Sequence, residues 1–261
     1  MKTRIIAALL TAALLTTSLT AASGIAQAET GPTLYLATEA PPFGTHEGDP
    51  AAGLGTDMVR EIMARAGVGY SIDVLPWKRA YSAALERRDA CVYSTTRTPE
   101  REHQFKWVGP IRDADWVLMA RADRKLKLHS LEEAQRYRIC TYNGDARDQY
   151  LRARGFNVDP APNDLANPRK LMLGRIDLWA ASLGRSSQAL ARLGYAGKVV
   201  PVFVFNRIHT YLACNHAVPQ PLLARMGAAL ETMERDGSAR AIRRRYHGHE
   251  AGPSAQAGSR R

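Results

Sequence analysis

Short apolar segments alternate with amphipathic ones in the first third of the chain, and this alternation restricts the fold more than any other feature. Segments 33–38, 70–75 and 90–93 are typical of strands, with apolar residues in short runs or in alternation with polar ones. Residues 58–63 carry apolar side chains at helical spacing, and 76–88 begin with a proline that the first turn of a helix accepts. Strand, helix, strand, helix and strand with short links predict an α/β unit with a mainly parallel sheet.

The stretch 89–111 carries residues suited to binding an anion. After the apolar run 90–93 comes a polar turn, and Thr98 before Pro99 predicts the start of a helix with Thr98 as its N-cap. A strand, a hydroxyl-rich turn and a helix start form a concave anion site, because free backbone N–H groups and the helix dipole converge there. Arg97 and Arg101 add guanidinium groups whose planar geometry matches a carboxylate.

This spacing resembles the family 3 periplasmic solute-binding proteins, which include the polar amino-acid receptors of ABC transporters. In that family a Ser/Thr-rich turn with the pattern T-x-x-x-x-R is followed by a crossing motif that ends in proline. Thr96 and Arg101 fall on the family's contacts with the ligand carboxylate, and Ser94 falls on a contact made through backbone or hydroxyl. Phe105 to Pro110 matches the crossing. Arg97 has a second interpretation, as a latch between two lobes.

The resemblance covers nearly the whole chain and implies an α/β fold with two lobes, the type II periplasmic-binding fold. Each lobe is then a mainly parallel sheet flanked by helices, and the chain crosses between the lobes twice. The first lobe is predicted to comprise 29–112 plus 208–248, and the second 113–207. Residues 249–261 are small and polar, which predicts a disordered tail.

Three further candidates come from the same resemblance in the first lobe. Glu39 lies near a family acidic position used against cationic side chains, with a solvated loop carboxylate as the alternative. Phe43 belongs to the ligand-facing loop, although in this position an aromatic ring more often packs in the lobe core. Trp77 falls on a pocket position that holds an apolar or aromatic residue, and we expect it either to stack on the ligand or to pack between helix and sheet.

Two candidates in the second lobe depart from the family pattern. Asp145 replaces a Ser or Thr at a helix start, where it is a normal N-cap and where its charge favours a cationic ligand group. Ser182 stands where amino-acid receptors carry the Asp or Glu that holds the α-ammonium group. Because a neutral hydroxyl cannot neutralise a desolvated ammonium, the usual α-amino-acid clamp is incomplete, and the ligand is predicted only as a small carboxylate-bearing solute, an amino acid or a derivative.

The first 28 residues have the pattern of a cleaved leader. A basic start, an apolar segment at 5–15 that is too short to span a bilayer, and Ala26-Gln27-Ala28 predict cleavage after Ala28 and export to the periplasm. Loss of Lys2 and Arg4 lowers the net charge from +11 to +9. The remaining arginines are scattered and no nucleic-acid motif accompanies them, so we expect no nucleic acid partner. The expected partner is the membrane permease of an ABC transporter, with a membrane sensor as the alternative, and the receptor is expected to be a monomer.

The three cysteines, Cys91, Cys140 and Cys214, lie in apolar segments, and their odd number leaves at least one free thiol. The sequence does not choose a disulfide pair.

Catalysis has little support. The chain has no G-x-S-x-G, H-E-x-x-H or paired Cys/His spacing, so no metal, no cofactor and no enzyme activity are expected. The less favoured alternative is a cyclohexadienyl-dehydratase-like activity on the same fold, for which Glu39 and Asp145 are the remaining acid candidates.

Overall fold

The structure is a computed structural model that describes residues 33–39 and 49–250, with side chains to Tyr246. The predicted leader, the ligand-facing loop with Phe43, and the tail beyond Glu250 lie outside the described residues. None of the helices within the described ranges is both long and apolar enough to cross a membrane.

The strands of the described residues form one mixed sheet. They are β1 (Leu34–Thr38), β2 (Tyr70–Val74), β3 (Ala90–Thr96), β4 (Lys106–Arg121), β5 (Ile139–Tyr142), β6 (Val158–Ala161), β7 (Leu178–Ser182) and β8 (Val199–Cys214). Their order in the sheet is β2-β1-β3-β8-β4-β7-β5-β6. The three strands at each end pair in parallel, whereas β8 and β4 in the middle run antiparallel to each other and to their outer neighbours.

The α-helices cover the sheet. They are α1 (Leu54–Ala66), α2 (Trp77–Glu86), α3 (Ala146–Arg152), α4 (Ala166–Met172), α5 (Leu183–Arg192), α6 (Gln220–Asp236) and α7 (Ser238–Glu250). Helix α1 ends at Gly67, which has the left-handed backbone (φ 61°) that glycine adopts without steric cost.

Separate apolar cores define two lobes. The first-lobe core joins α1, α6 and α7 to the strands β1 and β3, and Met58, Ile62 and Met226 are fully buried there. Burying one such side chain stabilises the fold by roughly 1.5–3 kcal/mol. Two further clusters hold β5–β7 and the helices α3–α5 together in the second lobe. The α/β two-lobed fold is therefore confirmed, while the predicted boundaries at 112 and 208 stay predictions.

The two lobes share β4 and β8, which the structure shows as continuous strands of 16 residues each. Their apolar runs are interrupted in the sequence by Gly109-Pro110 and by the polar residues Asn206, Arg207 and His209. Irregular pairing near that proline keeps the ladder intact, since the register shifts between Val108 and Arg112. A β-bulge tolerates a residue that cannot donate to the ladder.

The helix predicted to start at Pro99 is also wrong. Strand β3 continues through Thr96, and a 3₁₀ turn follows at Glu102–Gln104. The bonds from Arg101 N to the Thr98 carbonyl (3.0 Å) and from Gln104 N to the Arg101 carbonyl (3.0 Å) span three residues, as in a 3₁₀ helix. The chain turns too tightly here for an α-helix to form.

A disulfide between Cys91 and Cys214 joins the neighbouring strands β3 and β8 in the first lobe. Cys140 is a free, buried thiol on β5. Cys91 and Cys214 lie 123 residues apart in sequence, so the spacing of the cysteines did not indicate which two of them pair.

Candidate functional site

A cavity of about 130 Å³ lies between the two lobes. At roughly 10–15 Å³ for each water-sized site, it has room for about ten water molecules. Both lobes line it, and β4 contributes Arg112. Of the nine residues predicted from the sequence, six line the cavity: Glu39, Trp77, Ser94, Thr96, Arg101 and Asp145.

Arg101 is the most deeply buried cation of this cavity, with 1% of its surface exposed. Its Nε donates to Gln149 Oε1 (3.0 Å), and its Nη2 donates to the Gly144 carbonyl oxygen (3.2 Å). Its guanidinium also lies over the ring of Tyr81 (4.8 Å to the centroid). Burial lowers the pKa of Arg101, but an arginine retains its proton. Both hydrogen bonds reach uncharged oxygens, so within the described ranges no carboxylate pairs with this buried charge.

Thr96 and Ser94 bring hydroxyl groups to the cavity from the end of β3. Thr96 is buried and pairs with Thr210 of β8. Ser94 has a left-handed backbone (φ 58°) where the register of the β3–β8 ladder shifts, and such bulges re-aim a side chain. The Ser94 hydroxyl lies against the start of α1, because a Cβ on Gly55 would be only 2.5 Å from the Ser94 Oγ.

The first turn of α1 forms one wall of the cavity. Gly53, Leu54 and Gly55 line it, and Gly53 provides no side-chain cap. The first backbone N–H groups of a helix have no partner inside the helix, and they favour a negatively charged group nearby. This wall therefore adds donors suited to a carboxylate.

Trp77 packs in the core of the protein, while its predicted stacking on a ligand stays a prediction. It lines the cavity, and it also packs in a core cluster with Phe105 and Tyr142. Its Nε1 donates to the Gly144 carbonyl oxygen (3.1 Å), the same atom that accepts from Arg101. Because Gly144 belongs to the second lobe, both first-lobe side chains hold the lobes together.

Glu39 forms a second connection between the lobes. Its Oε1 accepts from the Tyr142 hydroxyl (2.7 Å), and its Oε2 pairs with Arg185 (3.1 Å). Burial and the hydrogen bond to Glu39 raise the pKa of Tyr142, so this hydroxyl remains a donor. The charge of Glu39 is therefore partnered by the protein.

Asp145 caps α3 as predicted and accepts from the Arg147 backbone N–H (2.7 Å). Its carboxylate also pairs with the Arg147 side chain at 2.7 and 3.1 Å. Burial alone would raise the pKa of Asp145, but the charge and hydrogen bonds of Arg147 hold it below its usual range. Arg147 pairs with Asp164 as well (3.0 Å). The predicted preference of Asp145 for a ligand cation is thus opposed by a buried cation of the same helix.

Arg97 and Ser182 do not line the cavity. Arg97 makes two bonds to Glu102 (2.7 and 2.5 Å), and its predicted role as a latch between the lobes stays a prediction. Ser182 ends β7 opposite Trp116. Three positions later, in the first turn of α5, Arg185 reaches the cavity instead.

Sequence reasoning did not assign Arg112, Arg185 or Gln188 to the site. The available signal for Arg185 was its place in the first turn of a helix that follows a strand. Such turns lie at the edge of the sheet where ligands bind in α/β proteins. No group of three or more side chains suited to hold a metal ion occurs among the described residues.

Comparison with known proteins places these features in a family. The family described as "Bacterial extracellular solute-binding proteins, family 3" matches residues 33–249. No curated protein matches the chain significantly. Among solved structures, a histidine kinase sensor domain with similarity to periplasmic binding proteins superposes with a TM-score of 0.74. It is 20% identical, with 83% of this chain and 96% of that one covered.

Two binding proteins are similarly close in structure. An ancestral arginine-binding protein bound to glutamine gives a TM-score of 0.69 at 24% identity, covering 83% of this chain and 98% of its own. The arginine-, lysine-, histidine-binding protein ArtJ from Geobacillus stearothermophilus gives 0.71 at 15% identity, over 84% and 96%. At such identities the structures support the fold alone, whereas the family match extends over most of the sequence. The chain belongs to the family 3 bacterial extracellular solute-binding proteins.

Proposed function

We propose that this protein is a periplasmic receptor that captures a small carboxylate-bearing solute, an amino acid or a derivative, by closing its two lobes. One observation carries the proposal: Arg101 is a buried cation at the wall of the cavity, and its hydrogen bonds reach only uncharged oxygens. Asp145 and Glu100 attract this charge without a direct bond to it. A buried charge that no carboxylate contacts directly is unfavourable, and a ligand carboxylate would supply that contact.

The groups around Arg101 are sufficient for useful affinity. A hydrogen bond to a charged group contributes roughly 1.5–3 kcal/mol, so two such bonds from Arg101 supply up to ~6 kcal/mol. Micromolar binding needs about 8 kcal/mol. The hydroxyl of Thr96, the first turn of α1 and contact with Trp77 are available for the remainder.

Hydrogen bonds between the two lobes at the cavity support closure around the ligand. Glu39, Trp77 and Arg101 of the first lobe bond to Tyr142, Arg185, Gly144 and Gln149 of the second. A ligand that touches both lobes binds the closed form better than the open one, and it therefore shifts the equilibrium towards closure. The irregular pairing of β4 with β8 near Arg112 is our candidate for the hinge.

The closed receptor would deliver its solute to the permease of an ABC importer, as the family and the predicted leader suggest. A second candidate is a receptor that presents the ligand to a membrane sensor, and the likeness to a histidine kinase sensor domain supports it. Uptake of the bound solute by cells with and without the gene separates the two roles, since only the first requires transport.

Binding is favoured over catalysis by the state of the two acids. Glu39 and Asp145 are both ion-paired with arginines, and a low pKa keeps Asp145 from acting as a proton donor near neutral pH. We expect no turnover of prephenate or arogenate by the purified protein. Formation of the dehydrated product would contradict this expectation.

The test compares two arginines of the same segment. A thermal-shift screen of amino acids, opines, polyamines and small organic acids identifies a ligand, because binding raises the melting temperature. Arg101→Ala should then weaken binding of a carboxylate ligand by about 100-fold, as expected for the loss of ~3 kcal/mol. Arg97→Ala is the matched control, because Arg97 does not line the cavity, and it should change the affinity less than twofold.

Circular dichroism of Arg101→Ala establishes that the variant is folded. An affinity for the carboxylate ligand close to that of the unchanged protein would refute the assignment of Arg101. Arg101→Lys tests whether the shape of the guanidinium matters, because lysine keeps the charge but cannot bind a carboxylate through two parallel N–H groups. We expect an affinity between those of Arg101→Ala and the unchanged protein.

A further inference from the structure

Among the described residues, the two carboxylates that line the cavity already have cationic partners within the protein. Glu39 pairs with Arg185 and accepts from the Tyr142 hydroxyl. Asp145 pairs with Arg147 through both of its oxygens and caps α3. A ligand ammonium group would therefore have to displace an arginine from a carboxylate before it gained a counter-charge.

The arginines that the inference uses come from separate elements. Among the described residues, Arg101 lines the cavity from the turn before the 3₁₀ helix, and Arg185 lines it from the first turn of α5. Arg101 has no carboxylate partner within the described ranges. Arg185 reaches Glu39 with Nη2, while its Nε is buried and has no hydrogen-bond partner among the described residues. A buried N–H donor without an acceptor is unfavourable, and a ligand oxygen would satisfy it.

We propose that the ligand is a small dicarboxylate without an ammonium group, held by Arg101 at one end and by Arg185 at the other. This inference rests on the proposed function and narrows its solute class. One carboxylate meets Arg101 and the hydroxyl of Thr96, and the other meets the wall that contains Arg185 and Arg112. Ser182 lies outside the cavity and contributes no group to an amine.

Charge and size both fit this class. Among the described residues, Arg101 bonds to no carboxylate and Arg185 keeps a buried Nε without a partner, whereas Glu39 and Asp145 are both ion-paired. The cavity therefore offers donors to two ligand carboxylates and no unpaired carboxylate to a ligand ammonium group. An ammonium group near Arg101 and Arg185 would lose its hydration and face like charges. A volume of about 130 Å³ suits a molecule of four or five carbon atoms with two carboxylates.

The inference is tested with pairs of compounds that differ only in an amino group. Succinate is compared with aspartate, and glutarate with glutamate, by isothermal titration calorimetry at pH 7.5 on the chain purified from the periplasm after expression with its own leader. The amine-free member of each pair should bind at least tenfold more tightly. An amino acid that binds as tightly as its amine-free partner, or more tightly, overturns the inference.

A variant then tests whether the second carboxylate of the ligand binds at Arg185. Arg185→Met keeps an apolar stem and removes the charge, and we expect it to weaken succinate and glutarate at least tenfold while butyrate, with one carboxylate, changes less than threefold. This variant also frees Glu39 from its ion pair with Arg185. The affinities for aspartate and glutamate should therefore rise relative to those for succinate and glutarate. Arg175→Met is the control, because Arg175 is an exposed second-lobe arginine outside the cavity. It should change neither the affinity for the dicarboxylates nor the affinity for butyrate.

The outcomes separate this inference from the proposed function. If amino acids bind as well as dicarboxylates and Arg101→Ala weakens both about 100-fold, the inference fails and the carboxylate receptor stands. If Arg185→Met weakens butyrate as much as succinate in a folded protein, the second site is wrongly placed and the inference fails. If none of these carboxylates binds, the dicarboxylate inference fails, and the thermal-shift screen with Arg101→Ala decides the proposed function separately.

Discussion

The hydroxyl of Tyr142 provides a direct measure of how strongly the lobes hold each other. It donates to Glu39 Oε1 across the lobes at 2.7 Å, and Tyr142 itself is buried and does not line the cavity. Tyr142→Phe removes this one bond and keeps the ring. The variant therefore tests closure without removing a side chain that lines the cavity.

The expected magnitude follows from the charge on Glu39. A hydrogen bond to a charged group contributes roughly 1.5–3 kcal/mol, so its loss should shift the equilibrium between closed and open forms by about 10- to 150-fold towards the open form. A ligand that binds only the closed form then loses affinity in proportion to the closed fraction. The loss approaches the full factor when the unliganded protein is mostly open.

Two measurements and one control make this test specific. Small-angle X-ray scattering of the ligand-free protein reports the separation of the lobes, and titration calorimetry reports the ligand affinity. Tyr35→Phe is the matched control, because the Tyr35 hydroxyl also donates to a carboxylate, that of Asp73 at 3.0 Å, but within the first lobe. We expect a larger radius of gyration and weaker binding for Tyr142→Phe only.

The result that refutes this reasoning is equally specific. If Tyr142→Phe and Tyr35→Phe have the same radius of gyration and affinities within twofold of the unchanged protein, the bond to Glu39 does not contribute to closure. Glu39 would then be held to the second lobe by Arg185 alone.

Three further predictions concern stability and reactivity. Replacing both Cys91 and Cys214 by alanine should lower the free energy of unfolding in guanidinium by up to about 5 kcal/mol, the loop-entropy value for a 123-residue separation, and a loss below ~1 kcal/mol would contradict it. The lowered pKa of Asp145 stabilises the folded state above pH ~4, and this contribution disappears as the pH falls through the lowered value. Asp145→Asn should therefore reduce stability at pH 7 and make it less sensitive to pH below ~4, as followed by thermal unfolding. Burial raises the pKa of the Cys140 thiol to about 11, so alkylation at pH 8 should be slow in the folded protein and fast in urea; rapid labelling of the folded protein would contradict its burial.

Features that depend on residues close in sequence were predictable. The order of strands and helices from β1 to β3 follows from local apolar spacing, and Thr96 and Arg101 lie only five residues apart on the same turn. It could therefore be predicted without knowledge of the rest of the fold that both residues line one cavity. The cap at Asp145 is equally local, because its acceptor bonds reach only Arg147.

Features that depend on distant pairing were not predictable. Nothing in the sequence near Glu39 indicates Arg185, which lies 146 residues away, and the disulfide partners are likewise remote. The Gly144 carbonyl oxygen is an acceptor that any residue would offer, so its role depends on position alone. The left-handed backbone of Ser94 also comes from the pairing of β3 with β8, since serine by itself does not favour it.

The path of the chain through the two lobes implies an order in which the lobes fold. The main second-lobe core gathers residues from one uninterrupted stretch, Leu118 to Phe205. The first-lobe core instead combines Leu34 with Tyr246, so it is complete only when α7 is available to pack. Contacts between distant segments form slowly, so we expect the second lobe to fold before the first. The first lobe should expose apolar surface until α6 and α7 pack against it. A chain truncated before α6 should for this reason retain a folded second lobe, while its first-lobe segments should become sensitive to proteases.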